Sequence, residues 1–386
     1  MKRKILFACY GLGIGGIETC LVNLLNQLSD KDLDIDVLLM NPIYDMQDRI
    51  KSKNIHILPV FDYVLNTTDV MRYIKQNNGI AKNLTLFLRY IMYRIAVKLR
   101  FPKPWVIYKK LPLHYDVAIA YSANGSTPYY VIDKVEADKK ILWNHNGVYE
   151  SSEKKYSLDK QYIPKYDKIV SVSTDAMKNL CRFFSISEES LVLKNIVDTE
   201  VILEKAVEFF PKTYEDSCIH IVTVGRLVEP KRPDRAVNVC KKLVDRGIKV
   251  KWHWVGDGNL NKEIRSMITE NDLEGIFILE GNQLNPYPYI CNADIYVQAS
   301  RYEAYCTTIT EAKVLCKPIV TTDVGGMRDQ IENGVNGIIT DVSDNALFDG
   351  VMAVLDDVKL RENIILNLKK EKYENCIQPY MDYIFN

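Results

Sequence analysis

Short apolar runs alternate along the chain with segments whose apolar positions recur every three to four residues. In the first half, "KILFACY" (4–10) precedes "IETCLVNLLNQL" (17–28) and "DIDVLLM" (34–40). "DVAIAY" (116–121), "KILWNH" (140–145) and "DKIVSVS" (167–173) are further strand candidates. The second half repeats the plan. Strands are predicted at "IHIVTVG" (219–225), "KVKWHWVG" (249–256), "IFILEG" (276–281), "DIYVQAS" (294–300), "PIVTTD" (318–323) and "NGIIT" (336–340). Helices are predicted at "DRAVNVCKKLVDRG" (234–247), "KEIRSMITEN" (262–271), "TITEAKVLC" (308–316) and "MRDQIEN" (327–333). Continuous apolar strands separated by helices imply parallel sheets covered on both faces. The fold class is therefore α/β, with two doubly wound domains. The expected division is 1–200, 201–370 and a helix over 371–386 returning to the first domain.

Length and composition fit this plan. The 386 residues exceed one ordinary core, and 47% hydrophobic with 26% charged residues is globular composition. The nine cysteines show no C-x-x-C and no zinc spacing, which reads as reduced core thiols. "MKRK" before "ILFACYGLGIGG" imitates a signal peptide, but glycines interrupt the apolar segment early, and it reads as the first strand. No run of 18 apolar residues occurs. Net charge is zero overall, yet residues 1–195 carry an excess of 8 positive charges and 196–386 an excess of 8 negative ones. Ten Lys/Arg and no acid lie between Val70 and Tyr115. A helix over 81–101 would place Leu84, Leu88, Ile91 and Ile95 on one side, with Arg94 and Lys98 beside each other at an edge. That belt, which also holds Phe87 and Trp105, suits the anionic inner face of a plasma membrane, giving a cytoplasmic, peripherally bound protein. Nucleic acid is excluded as a partner because no recognised module accompanies the charge.

Ligands in open α/β sheets bind beyond the carboxyl ends of strands, so candidate chemistry is sought there. "CYGLGIGGIE" (9–18) contains Gly11, Gly13 and Gly16 in G-x-G-x-x-G spacing, where backbone amides and a helix start can meet phosphate. A dinucleotide site also needs an acid at the end of the second strand, which instead carries Met40 and Asn41; a nicotinamide cofactor is excluded. The alternating acids of "DKDLDID" precede that strand and read as a solvated turn, so no metal site is expected. After 219–225, Arg226 and Lys231 flank a turn at a helix start and can converge on one anion. Glu303 and Glu311 lie eight positions apart around another helix start, where two carboxylates can accept from polyhydroxyl groups.

The motifs "GIGGIETCLVNLL", "LVLKNIVD", "VGRLVEPKRPDRAV", "WVGDG", "EGNQLNPYPYICNADIYVQASRYEAYCTTITEA" and "PIVTTDVGGMRDQIENGVNG", in this order, resemble those of family 4 of the retaining nucleotide-sugar glycosyltransferases. The resemblance covers nearly the whole chain. It implies the GT-B fold, with two Rossmann-like domains facing a central cleft, and transfer of a hexose-type sugar from a nucleoside diphosphate, UDP above all. It further implies that Gly15 and Gly16 approach the donor diphosphate, that Arg226 and Lys231 grip it, and that Glu303 holds the sugar hydroxyls. Tyr305, Cys306 and Thr307 would contribute backbone amides, Glu311 would take the ribose, His145 would stand beside the reacting sugar, and Asn282 would line the base pocket. No metal or other cofactor is implied. The acceptor is expected to be lipid-linked, in cell-surface polysaccharide or glycolipid synthesis. A nucleotide-sugar 2-epimerase of the same fold and a catalytically silent partner subunit are the alternatives. Where the family usually has glycine after the first glutamate and often proline or phenylalanine two positions further on, this chain has Ala304, Tyr305 and Cys306, which leaves the identity of the donor sugar open.

Overall fold

The computed structural model describes residues 2–59, 80–99, 101, 103–123, 125–147, 149, 153–186, 190–214, 217–373 and 377–385. The chain forms two compact units, Met1–Lys194 with Cys376–Asn386, and Asn195–Asn375. The first unit thus ends six residues earlier than the sequence pattern suggested.

Seven parallel strands form the sheet of the first unit: β1 (Arg3–Cys9), β2 (Leu33–Leu39), β3 (Ile55–Ile57), β4 (His114–Ala120), β5 (Glu136–Asn144), β6 (Lys168–Ser171) and β7 (Leu191–Val192). Their spatial order is β3-β2-β1-β4-β5-β6-β7, so the winding reverses between β1 and β4. Ile5 to Ala8 are wholly buried because helices cover both faces. The helix Gly16–Leu28 contributes Cys20, Leu21, Leu24, Leu25 and Leu28 to that cover. The helix Gln378–Phe385 packs on the same unit. Tyr380 stacks on Trp143 at 6.0 Å, and the Tyr383 hydroxyl donates to the Ile169 carbonyl at 2.9 Å.

Six parallel strands form the second sheet: β8 (Ile219–Val224), β9 (Val250–Val255), β10 (Phe277–Gly281), β11 (Ile295–Gln298), β12 (Ile319–Thr322) and β13 (Ile338–Thr340). The order β10-β9-β8-β11-β12-β13 reverses its winding between β8 and β11. Trp252 and Trp254 are fully buried. Their indole N–H groups are satisfied by Thr223 Oγ1 at 3.1 Å and by the Gly225 carbonyl at 2.8 Å. The second bond pins the loop that leaves β8.

Three expectations fail locally. "MRDQIEN" is a set of turns, not a helix. Gly326 and Gly334, both at positive φ, bracket it, and buried Met327 and Ile331 anchor it within a single turn. Asp34 and Asp36 lie within β2, as the strand over 34–40 implies, but Asp36 is buried instead of solvated, accepting from the Tyr115 hydroxyl at 2.7 Å with Lys4 Nζ 3.6 Å away. The solvated turn is confined to residues 29–32. Trp105 is a core residue. It stacks on Tyr129 at 4.5 Å and donates to Asp133 at 2.8 Å, so it has no surface to offer a membrane.

The helix in the basic belt spans Ile80–Lys98. Leu86 is buried and Tyr93 lies 5.7 Å from Tyr108, which fixes one side of the helix to the unit. Leu84, Phe87, Leu88, Ile91, Met92 and Ile95 are exposed on the other. Belt residues 70–79, 100 and 102, and the side chain of Lys82, lie outside the described residues. Among the described residues no helix is long and apolar enough to cross a membrane.

Candidate active site

In the second unit the functional loops follow β8 and β11, the neighbouring strands at which the winding reverses, where a crevice opens beyond the sheet edge. Adjacency of these two strands is what joins residues 72 positions apart. Lys231 closes the short 3-10 turn Glu229–Lys231 after β8, and its Nζ lies 2.5 Å from Glu303 Oε1. Burial works against the Lys231 charge, but the Glu303 carboxylate and the Cys306 thiol outweigh it, and the ammonium pKa is raised. Lys231 is therefore a fixed positive charge at neutral pH. Arg226 stands exposed at the end of β8, near enough to act against that charge.

The loop is held from behind by glycines. A Cβ at Gly256 would overlap the Gly225 carbonyl, and one at Gly258 would overlap that of Leu227. On the β11 side, Arg235 is buried and donates to the Ala299 carbonyl at 2.8 Å, while Thr322 Oγ1 donates to the Ser300 carbonyl at 2.6 Å. Ser300 Oγ then donates to Glu303 Oε1 at 2.6 Å. Gly326, at φ +76°, lies so close under the Ala304 carbonyl that no Cβ fits.

Cys306 caps the helix Thr307–Val314 from a buried position, with its Sγ 3.2 Å from Thr308 Oγ1. Burial, with the negative Glu303 beside it, pushes its thiol up to about 11, so it is no nucleophile at neutral pH. Thr307 opens that helix, whose positive dipole end faces an anion favourably, and Tyr305 is half-buried ahead of it. Glu311 lies inside the same helix, buried, and desolvation raises its carboxyl to about 8. Asn282 is exposed just beyond β10, two strands over from Arg226. The structure thus joins Lys231 and Glu303 directly, sets Cys306, Arg226, Tyr305, Thr307 and Glu311 on the loops and helix around them, and leaves Asn282 apart.

In the first unit, Gly15 precedes the helix that Gly16 begins, after β1. Gly15 is extended at φ −168°, which any residue adopts, but a Cβ there would press on the Glu18 carboxylate. Glu18 was missed from sequence although it stands in the first turn of that helix, where it places negative charge beside the amides assigned to phosphate. His145 follows β5, buried, with its ring 4.7 Å from Tyr121 and stacked at 6.5 Å on Trp143. Burial lowers its pKa to about 3, so the imidazole is neutral, and its Nε2 meets no hydrogen-bond partner among the described residues. A neutral imidazole can exchange a hydrogen bond with a hydroxyl without adding charge. Among the described residues no group of three His, Cys, Asp or Glu is arranged to hold a metal ion.

Comparison with known proteins bears on this arrangement. Residues 206–371 match the family model described as Glycosyl transferases group 1. An N-acetylgalactosamine-N,N'-diacetylbacillosaminyl-diphospho-undecaprenol 4-alpha-N-acetylgalactosaminyltransferase of Campylobacter jejuni is 27% identical over 93% of this chain and 92% of its own length. A poly(ribitol-phosphate) alpha-N-acetylglucosaminyltransferase of Staphylococcus aureus is 30% identical over 46% of this chain and 37% of its own. Among solved structures, the Anabaena protein HepE in complex with UDP-glucose superposes with a TM-score of 0.73 at 15% identity, covering 98% of each chain. The chain is a glycosyltransferase with the GT-B fold, and its residues 206–371 carry the group 1 glycosyl transferase sequence.

Proposed function

We propose that the enzyme transfers a hexose-type sugar from a UDP-sugar to a hydroxyl of a lipid-linked acceptor, with retention of configuration, as the resemblance to family 4 implies. The observation that carries this reading is the Lys231–Glu303 pair at the β8/β11 crevice, with the helix Thr307–Val314 starting beside it and Glu311 buried within that helix. As the bond from the sugar to the diphosphate breaks, charge grows on the leaving phosphate. Lys231, Arg226 and the helix amides oppose that charge in a site partly closed to water, which supplies the electrostatic stabilisation without a metal ion. The acceptor oxygen bonds to the anomeric carbon on the face that the phosphate leaves, and its proton passes to the departing phosphate oxygen. Glu303 holds donor sugar hydroxyls and Glu311 the ribose. Neutral His145, on the first unit, is the group assigned to the sugar's reacting side.

The Campylobacter relative is named for a diphospho-undecaprenol substrate and the Staphylococcus relative for a polymer, which supports an acceptor in lipid-linked glycan or polysaccharide assembly. The helix Ile80–Lys98 supports the same reading, since it exposes an apolar stripe with Arg94 and Lys98 at its edge. Such a stripe suits peripheral docking at an anionic leaflet. The test is transfer from a panel of UDP-hexoses to polyprenyl-diphosphate saccharides in anionic vesicles, in the presence of a chelator. Retained product stereochemistry and undiminished turnover with chelator support the reading. Inverted product, or turnover that returns only with a divalent ion, overturns it.

A further inference from the structure

A polar relay runs from β11 into the loop that follows it. Tyr296 and Gln298 share one face of β11, Ser300 follows two residues beyond its end, and all three are fully buried. Tyr296 Oη lies 2.8 Å from Gln298 Oε1, Gln298 Nε2 lies 2.8 Å from Ser300 Oγ, and Ser300 Oγ lies 2.6 Å from Glu303 Oε1. The carboxylate sets the polarity of the whole series, because it can only accept. Ser300 must use its one proton on Glu303, so it accepts from the Gln298 amide. The Gln298 carbonyl oxygen then takes the Tyr296 proton. Thr308 Oγ1, 2.7 Å from Tyr296 Oη, is left as the donor of that contact, and Cys306 Sγ, 3.2 Å away, donates to Thr308. Each member has a single orientation.

Two protein donors, Ser300 Oγ and Lys231 Nζ, meet on the same carboxylate oxygen, Oε1. Oε2 accepts from no described residue. We infer that Ser300 is a positioning residue for Glu303, oriented through Gln298 and Tyr296, and that the relay commits Oε1 to the protein while Oε2 is presented to a hydroxyl of the donor sugar. This rests on the proposed contact between Glu303 and that sugar. It adds why a glutamine ends a buried strand and a serine follows it: an apolar pair there would leave the carboxylate free to turn about its terminal torsion, with Lys231 as its one remaining partner. Arg235 and Thr322 hold the backbone carbonyls of Ala299 and Ser300, so the relay is anchored at main-chain level as well.

The experiment compares Ser300→Ala, Ser300→Thr, Gln298→Met and Glu303→Ala, with UDP and the UDP-hexose that supports turnover best as probes. Ser300→Ala and Gln298→Met should raise the KM for the UDP-hexose about tenfold, the scale of one hydrogen bond to a charged group, with the Kd for UDP unchanged. Ser300→Thr keeps the hydroxyl and should restore the donor KM. Unchanged UDP binding also reports that each variant has folded. If Ser300→Ala and Gln298→Met weaken UDP and UDP-hexose equally, or leave both unaffected while Glu303→Ala raises the donor KM, the relay has no positioning role and the inference fails. If Glu303→Ala itself leaves the donor KM unchanged, the sugar contact fails instead.

Discussion

Glu311 couples nucleotide binding to a proton. Its carboxyl, buried and desolvated, has a pKa of about 8, so at pH 7 about nine in ten free molecules hold it protonated. Accepting two ribose hydroxyls favours the charged form, and binding must therefore expel the proton. If the bound carboxyl titrates well below pH 6, the affinity for UDP rises with pH until about 8 and then levels. The gain is about 50-fold between pH 6 and pH 8. Calorimetry in buffers of different ionisation enthalpy should register close to 0.9 proton released per UDP at pH 7. Glu311→Gln removes the titrating group but leaves the phosphates' own ionisation, so the difference between the two proteins isolates the carboxyl. Equal proton release and equal pH dependence in both would refute the assignment. Stability without ligand carries the opposite sign from that of a paired carboxylate. The folded pKa exceeds the ordinary 4.5, so between 4.5 and 8 the folded state binds the extra proton, and stability falls as pH rises through that window. Glu311→Gln should thus gain on the parent by of the order of 4 kcal/mol from pH 5 to pH 9 in denaturant titrations.

Lys231→Ala should lower kcat by roughly 100- to 1,000-fold in the transfer assay, the scale of losing one preorganised charge stabiliser; near-normal turnover would remove it from the diphosphate. Gly326→Ala combines φ +76° with a clash on the Ala304 carbonyl and should cost about 2–4 kcal/mol, whereas Gly247→Ala, at φ +79° with open space around it, should cost about 1. Thermal melts that rank the two alike would contradict the close approach. One of the five histidines, His145, should keep neutral imidazole shifts from pH 8 down to pH 5 in NMR titration, and a midpoint near 6.5 would show that the ring is open to water. Leu88→Ser with Ile91→Ser should abolish sedimentation with anionic vesicles, and Arg94→Gln with Lys98→Gln should weaken it and leave what remains less sensitive to salt. Equal recovery of parent and variants would return the exposed stripe to an ordinary surface.

Much of the second unit was legible because its strands are mostly apolar and alternate with helical patterns, and Lys231 and Glu303 stand in the loops after two of them. What linear spacing cannot show is that β8 and β11 are neighbours; that follows from the order in which strands wind, and it is what turns two separate loops into one site. Gln298 and Ser300 read as the polar end of a strand, and their use emerges only when Glu303 is seen to need donors. Asp36 was misread because alternating acids ordinarily face water, whereas Tyr115 and Lys4 satisfy it inside the sheet. Trp105 was misread because its basic neighbours set the character of the segment, while its own partners, Tyr129 and Asp133, lie far along the chain. Glu18 carries no signal of its own in "GIGGIE", because the G-x-G-x-x-G spacing specifies only the glycines.

The helix Gln378–Phe385 makes the first unit discontinuous, and this has a bearing on the order of synthesis. A ribosome delivers residues 1–194, then the whole of the second unit, and only then the segment whose Tyr380 covers Trp143 and whose Tyr383 bonds to β6. Until that moment one side of the β5 and β6 strands waits uncovered, and a chain halted after residue 370 never closes it. Trp143 is also the ring on which His145 stacks. Deleting the helix Gln378–Phe385 therefore disturbs the wall behind a candidate catalytic side chain more than 230 positions upstream, through packing alone.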